Sequence, residues 1–209
     1  MTIARTIEFV RSVGLDVRVA KGPIRGFIRH VRIEQGVLLI DDKCAASALL
    51  HEAGHLAIIP GDFRHLASSN VSKAIRVGFE AANAAGLDAI PDEPMICAMM
   101  QTSDPEATAW AFAAGRAIGV PDDQIILDRE YGGDGRMQRV MLAGGHHLGI
   151  HGLQHAGMCR VRQYPEMIRW LQPVFHPELF GSLVEKTKNP ERTRGFEFPT
   201  DSWGSAARA

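Results

Sequence analysis

The spacing of apolar and polar positions predicts a helix and then three strands at the start of the chain. Apolar residues recur every three to four positions over residues 3–13, which predicts an amphipathic helix. Residues 15–19 alternate like a strand, and residues 27–41 predict two more strands joined by a turn at Gln35-Gly36. We therefore expect a small, mostly antiparallel sheet.

A longer helix is predicted directly after the last strand. The segment KCAASALLHEAGHLAII, residues 43–59, is mostly apolar and has Gly54 as its single helix breaker. Pro60-Gly61 ends it, and Asp41 or Asp42 is expected to cap its N-terminus.

Three further helical segments are predicted downstream. Residues 71–86 form a helical pattern closed by Gly86, and residues 102–119 form another with Pro105 in its first turn. Residues 136–158 have a helical period that glycines interrupt.

These segments predict one α+β domain over residues 1–186. Residues 62–101 are expected to be an insertion between two helices that carry the site. Residues 187–209 have no clear period and are rich in polar residues, which indicates a loop-like C-terminal tail.

The composition of the chain limits the classes of function that it could have. The 209 residues are 45% hydrophobic with a formal net charge of −1, so the chain can bury a core and has no basic excess for nucleic acid. The three cysteines are far apart and form no CxxC pair, which fits a reducing compartment. Without a signal-peptide pattern or a long apolar run, we expect a cytoplasmic protein without direct contact to nucleic acid or membrane. The oligomeric state is left open.

The stretch HEAGH, residues 51–55, is the strongest chemical signal in the sequence. On a helix, His51 and His55 are about 40° apart in projection and about 6 Å apart along the axis, so both can reach one metal ion. Glu52 points about 100° to the side, where it suits a general base for a metal-activated water molecule. Zn²⁺ is the expected metal, because this pattern is typical of zinc peptidases.

A catalytic zinc site needs a third protein ligand. The candidates downstream are Glu80, Asp104, Glu106 and a histidine cluster. Asp104 is expected to be a helix cap. Glu106 also fits a capping box with Ser103, since SDPE matches the S-x-x-E pattern. Glu80 is an alternative ligand, with a solvated helix charge as its simpler interpretation.

HEAGH followed by EATAWAFA, residues 106–113, resembles the ImmA/IrrE family of metallopeptidases. In that family an HExxH helix is followed by a helix with the motif E-x-x-A-N-x-F-A, whose glutamate supplies the third ligand. The resemblance implies a zincin-like fold with zinc held by His51, His55 and Glu106 and with Glu52 as the catalytic base. It covers about residues 3–160.

The resemblance implies a zinc-dependent peptidase that cleaves a protein or peptide substrate, in many family members a regulatory protein. Two departures stand out. Trp110 stands where the family usually has Asn, and the interval between His55 and Glu106 is longer than is common in the family. The insertion in that interval is expected either to shape the cleft or to block it. In the second case the alternative function applies, a non-catalytic, metal-containing binding protein that retains the fold.

Four histidines crowd into the stretch from residue 146 to residue 155. The interpretations left open are a polar surface cluster, a second metal site, and a contribution to the zinc cleft. For the last of these, Tyr131, His147 and His151 are candidates for donating a hydrogen bond to the oxyanion.

Overall fold

A computed structural model describes residues 2–181, so the predicted tail at 187–209 lies outside the described residues. The helices are α1 (Thr2–Ser12), α2 (Ala46–Ile58), α3 (Ser72–Ala84), α4 (Pro94–Met99), α5 (Asp104–Ala117), α6 (Asp122–Ile125), α7 (Gly135–Ala143) and α8 (Leu148–His155). The strands are β1 (Val17–Val19), β2 (Val31–Glu34) and β3 (Val37–Ile40). The predicted α+β class is confirmed.

The sheet is mixed, which corrects the expectation of a mostly antiparallel sheet. Its order is β1-β3-β2, with β1 parallel to β3 and β2 antiparallel to β3. The antiparallel pair is the predicted hairpin, and its turn residues Gln35 and Gly36 both have positive φ, as a tight hairpin turn requires. Because residues 20–30 carry the chain across the sheet, β3 pairs with both other strands.

Asp41 anchors the loop before β2 instead of capping α2. The N-cap of α2 is Ala45, which has no side-chain cap. The Asp41 carboxylate accepts hydrogen bonds from the backbone N–H groups of Ile24 and Lys43, at 2.7 and 2.9 Å, and lies 3.0 Å from Nδ1 of His30. It therefore ties the crossing loop to the turn that leads into α2.

The core is centred on α2, which α5 covers at very close range. Gly54 packs directly on the backbone of α5, where an added Cβ would lie 2.6 Å from the carbonyl oxygen of Ala107. Only a residue without a side chain permits this separation. Trp110 is fully buried in the same core and donates its indole N–H to the carbonyl of Trp170 at 3.0 Å.

The predicted insertion contains two helices, α3 and α4. Gly86, in the left-handed region at φ 73°, follows α3, as the sequence predicted. Gly78 lies against the side chains of Met99 and Phe63, which seats α3 on α4 and on the core. The insertion is thus packed against the core of the domain.

The segment 160–181 closes the back of the core. Gln172 donates its backbone N–H to the carbonyl of Ala57 in α2, at 2.9 Å. The guanidinium of Arg64 donates to the carbonyl oxygens of Leu56 and Gln172, at 2.8 and 2.7 Å. These hydrogen bonds satisfy backbone carbonyl groups at the C-terminal end of α2.

None of the helices between residues 2 and 181 combines the length and hydropathy that a membrane span requires.

We expect Gly54→Ala to destabilise the protein, although alanine normally favours a helix over glycine by about 1 kcal/mol. The added methyl group must push α5 away from α2, and overpacking of this kind costs about 1–3 kcal/mol. Urea denaturation of Gly54→Ala and of the control Gly22→Ala measures the effect. Gly22 has open space around its Cβ position, so its replacement should be neutral. A stability equal to wild type for Gly54→Ala would show that the two helices are not in contact at this point.

Asp41 should stabilise the fold in a pH-dependent manner. The backbone N–H of Ile24 and the imidazole of His30 lower its pKa to about 2, against about 4 in an unfolded chain. A lowered pKa means that the stabilisation is present above pH 4 and is lost as the pH falls through 2. The free energy of unfolding should therefore fall less over this window in Asp41→Asn than in wild type or in the exposed control Asp42→Asn. Parallel curves for all three proteins would contradict the assignment.

Candidate metal centre

His51 and His55 lie one turn apart on the face of α2 that borders a surface cleft. Their rings have centroids 4.9 Å apart and stand nearly perpendicular, at 86°. Both rings are half-buried, and both turn Nε2 toward the beginning of α5. The two imidazoles thus converge as the i, i+4 spacing predicts.

Asp104, the first residue of α5, completes the group. Its Oδ1 lies 3.7 Å from Nε2 of His51 and 3.2 Å from Nε2 of His55. Tetrahedral zinc with bonds of about 2.0–2.1 Å requires ligand atoms about 3.3 Å apart. The three side chains could therefore hold a metal ion, and their ligand atoms all lie within 4.8 Å of one another.

The backbone before α5 orients His55. Nδ1 of His55 is 3.2 Å from the carbonyl oxygen of Thr102. Because a carbonyl can only accept, Nδ1 carries a proton, which leaves Nε2 as the nitrogen that could bind a metal. The Thr102 hydroxyl donates to the carbonyl of Met99 at 3.1 Å, which fixes this segment to α4.

Electrostatics keep Asp104 in its ligand form. The adjacent imidazoles of His51 and His55 lower its pKa, so the carboxylate is ionised at neutral pH. Its side chain is 73% exposed, so solvent and solutes reach the centre from this side.

Glu52 lies beside the histidines and is only 8% exposed. Burial raises the pKa of its carboxyl group, and the nearby charges of His55 and His51 oppose that rise. It lines the same cleft as His51 and His55. A buried carboxylate next to two imidazoles that could bind a metal has the placement of a general base.

Glu106 does not join this group, in contrast to the prediction that it is the third ligand. It lies two residues after Asp104, which turns its side chain about 200° around α5 to the opposite face. There it is 5% exposed, accepts a hydrogen bond from the hydroxyl group of Ser103, and packs against Gly152 of α8. This bond joins the two side chains, and the N-cap residue Ser103 makes no side-chain cap hydrogen bond, so the capping box that the sequence also suggested is not formed.

Asp104 was expected to be a cap, and this prediction is wrong. Ser103 holds the N-cap position of α5, and Asp104 is the first helical residue. Glu80, the alternative third ligand, is exposed on α3 and pairs with Arg76 at 2.9 Å. Glu80 is therefore a solvated helix charge, which was its simpler interpretation. It is not part of the group formed by His51, His55 and Asp104.

The histidine stretch lies away from the metal centre. His147 caps α8 by accepting the backbone N–H of Gly149, and its Nε2 is 2.9 Å from the Gln138 side chain. His151 is exposed and lines a different surface depression with Arg160 and Arg162. Neither histidine borders the cleft at the metal centre, and the described residues contain no second group of three metal-ligating side chains.

Tyr131 does border the cleft, as predicted. Its hydroxyl is 2.6 Å from that of Thr108, which in turn donates to the carbonyl of Asp104 at 2.7 Å. Since Thr108 uses its own proton in that bond, Tyr131 donates to Thr108. The tyrosine proton must therefore turn away from Thr108 before it can reach an oxyanion.

Two cavities meet at His51 and Asp104. One, of about 280 Å³, is lined by Tyr131, Thr108 and mostly apolar neighbours. The other, of about 770 Å³, extends past His55 toward α3. Cavities of this size are typical of ligand sites, and their arrangement gives an elongated cleft with the metal centre near its middle.

Asp104 was among the candidate third ligands but was interpreted as a helix cap, although the sequence contains signals for its place at the cleft. Asp104, Thr108 and Ala111 recur at helical spacing and line the same cavity. Gly149 and Gly152, spaced by three, mark where α8 packs closely on the other face of α5 at Pro105 and Glu106. Together these patterns indicate which face of α5 turns toward α2.

No protein-family model, curated protein or solved structure matches this chain. The assignment of the centre therefore depends on its geometry and on the sequence motif.

We expect Asp104→Ala to lose more than about tenfold in zinc affinity, because it removes a direct ligand. Glu106→Gln should retain the affinity of wild type, as should Asp123→Ala, which removes an exposed carboxylate elsewhere. Competition with a zinc-sensitive dye gives the affinities, and circular dichroism shows that each variant is folded. A folded Glu106→Gln that loses zinc, together with an Asp104→Ala that retains it, would restore Glu106 as the ligand.

Proposed function

We propose that the protein is a zinc-dependent peptidase of the type that its motifs resemble, the ImmA/IrrE metallopeptidases. The observation that carries the proposal is the convergence of His51, His55 and Asp104 beside a buried Glu52 on the floor of an open cleft. A zincin-like arrangement of the HExxH helix and the helix of the third ligand agrees with the packing of α2 on α5.

The donor set fits zinc best. Two imidazoles and one carboxylate are a common ligand set of catalytic zinc, and they leave a fourth position open. Zinc held here would lower the pKa of a water molecule to about 7 and polarise the carbonyl group of a substrate. Asp104 takes the ligand role in this proposal, in place of Glu106.

Glu52 acts first as the general base and then as the general acid of the reaction. Its carboxylate accepts a proton from the attacking water as the new C–O bond forms at the peptide carbonyl. The protonated Glu52 then donates that proton to the amide nitrogen, which leaves as the amine when the C–N bond breaks. Burial suits both steps, because it raises the pKa of the carboxyl group and allows Glu52 to return the proton.

Tyr131 is the residue best placed to assist at the carbonyl oxygen. It lines the smaller cavity with His51 and Asp104. Rotation of its hydroxyl away from Thr108 would provide a hydrogen bond to the developing negative charge. His147 and His151, the other two candidates, line neither of the two cavities that meet at the metal centre.

The form of the cleft supports a peptide substrate over a small molecule. Cavities on both sides of the metal centre provide space for the chain before and after the cleaved bond. The insertion lines the cleft without covering Asp104. This access favours the peptidase over the alternative, a non-catalytic binding protein with the site closed. The described cysteines are unpaired, which agrees with a reducing, cytoplasmic location.

Glu52→Gln should abolish hydrolysis and retain zinc. Loss of a general base lowers the rate by about 10²–10⁴-fold, while the three ligands are unchanged. Zinc-loaded wild type and Glu52→Gln are compared on a quenched fluorescent peptide library, with bound zinc measured in the same samples. Equal rates would exclude this mechanism. Absence of hydrolysis by zinc-loaded wild type on every peptide would favour the binding protein.

A further inference from the structure

Helix α3 presents two different apolar faces. Ala74, Gly78 and Ala82 are buried against the protein. Val71, Ile75 and Phe79 recur at every fourth position and line the larger cavity next to the metal centre. Large apolar side chains that remain partly exposed along one stripe, next to a buried stripe of small residues, indicate a surface that receives a partner.

The position of the exposed stripe formed by Val71, Ile75 and Phe79, called the α3 stripe below, is fixed by packing. Gly78 lies against Met99 and Phe63, which allows α3 to approach α4 closely. Met99 itself lines the cavity, together with Met100, which is 61% exposed. The wall is therefore a built part of the fold, and it contains residues from both helices of the insertion.

Phe27 is a further exposed apolar residue at the cleft. It lies in the loop between β1 and β2 and is 96% exposed, yet it lines both cavities that meet at the metal centre. Asp41 holds this loop in place through Ile24 and His30. An aromatic ring anchored beside a cleft but covered by no neighbour offers apolar area to a ligand.

The charges of the cavity define what it accepts. Among the described residues that line it, the ionisable ones are His51, Glu52, His55 and Asp104, all of which belong to the metal centre. The rest of the wall is apolar or carries neutral hydroxyl and amide groups. A charged side chain bound against Val71, Ile75 and Phe79 would lose water without gaining an opposite charge from the residues that line this wall, which is unfavourable.

We propose that the α3 stripe and Phe27 form a specificity subsite for a large apolar side chain adjacent to the cleaved bond. The inference rests on the proposed peptidase function and names its substrate class: an extended peptide with a residue such as leucine or phenylalanine on the α3 side of the metal centre. The insertion is then the part of the chain that selects the substrate.

Binding tests this subsite separately from hydrolysis. Fluorescein-labelled, glycine-rich hexapeptides with one leucine, glutamate or lysine are titrated against zinc-loaded Glu52→Gln by fluorescence anisotropy. The leucine peptide should bind about tenfold more tightly than the glutamate peptide, as expected for burial of one apolar side chain. Equal binding of the two peptides would overturn the proposal.

Ile75→Asp, added to Glu52→Gln, should shift the binding preference from the leucine peptide toward the lysine peptide. The new carboxylate should weaken binding of the leucine peptide by about tenfold and strengthen binding of the lysine peptide. Val140→Asp is the matched control, since it adds the same charge at an exposed helical position outside the cleft. Phe27→Ala should weaken only the leucine peptide, with Leu148→Ala as its control. Circular dichroism confirms folding of each variant.

The outcomes separate the two proposals. Selective binding of leucine peptides that Ile75→Asp reverses supports the subsite, even if wild type hydrolyses none of them and the peptidase function fails. Hydrolysis by wild type with no preference for apolar residues, and with no effect of Ile75→Asp, overturns the subsite and leaves the peptidase function intact.

Discussion

The close contact between α2 and α5 at Gly54 and Ala107 is the constraint on which the site depends. A Cβ at residue 54 would lie 2.6 Å from the Ala107 carbonyl oxygen, so the two backbones touch without an intervening side chain. This separation brings Asp104 within 3.2 Å of His55. A wider spacing, as between ordinary helices at 8–10 Å with larger side chains at the contact, would move the carboxylate out of ligand range.

Because of this contact, each face of α5 has a different environment. Asp104 and Thr108 face the cleft, Trp110 fills the core, and Glu106 packs against α8. Because one helix cannot turn two residues two positions apart toward the same ion, the choice of Asp104 excludes Glu106 while α5 keeps this rotation. The carboxylate at the metal centre is thus an exposed one at the helix start, supported by two imidazoles, and the buried carboxylate Glu106 has a structural partner.

The two carboxylates at the metal centre, Glu52 and Asp104, differ sharply in burial. This difference matches the chemistry that we propose. Glu52 is almost fully covered, which raises its pKa, whereas Asp104 is open to solvent and its pKa is lowered by the histidines. Two carboxylates next to the same imidazoles are therefore pushed in opposite directions, as expected where one accepts and returns a proton and the other remains a charged ligand. The insertion adds an apolar wall without covering Asp104.

The sequence by itself determined the α+β class, the hairpin at Gln35-Gly36, the placement of HEAGH on a helix, and the convergence of His51 and His55, because these depend on local periods. It did not determine the parallel pairing of β1 with β3, the role of Asp41 or the third side chain at the centre. Those depend on which strands meet and on how α5 is rotated against α2. Glycines at 54, 149 and 152 permit that rotation through contacts between residues far apart in the chain, so only the tertiary structure decides between Asp104 and Glu106.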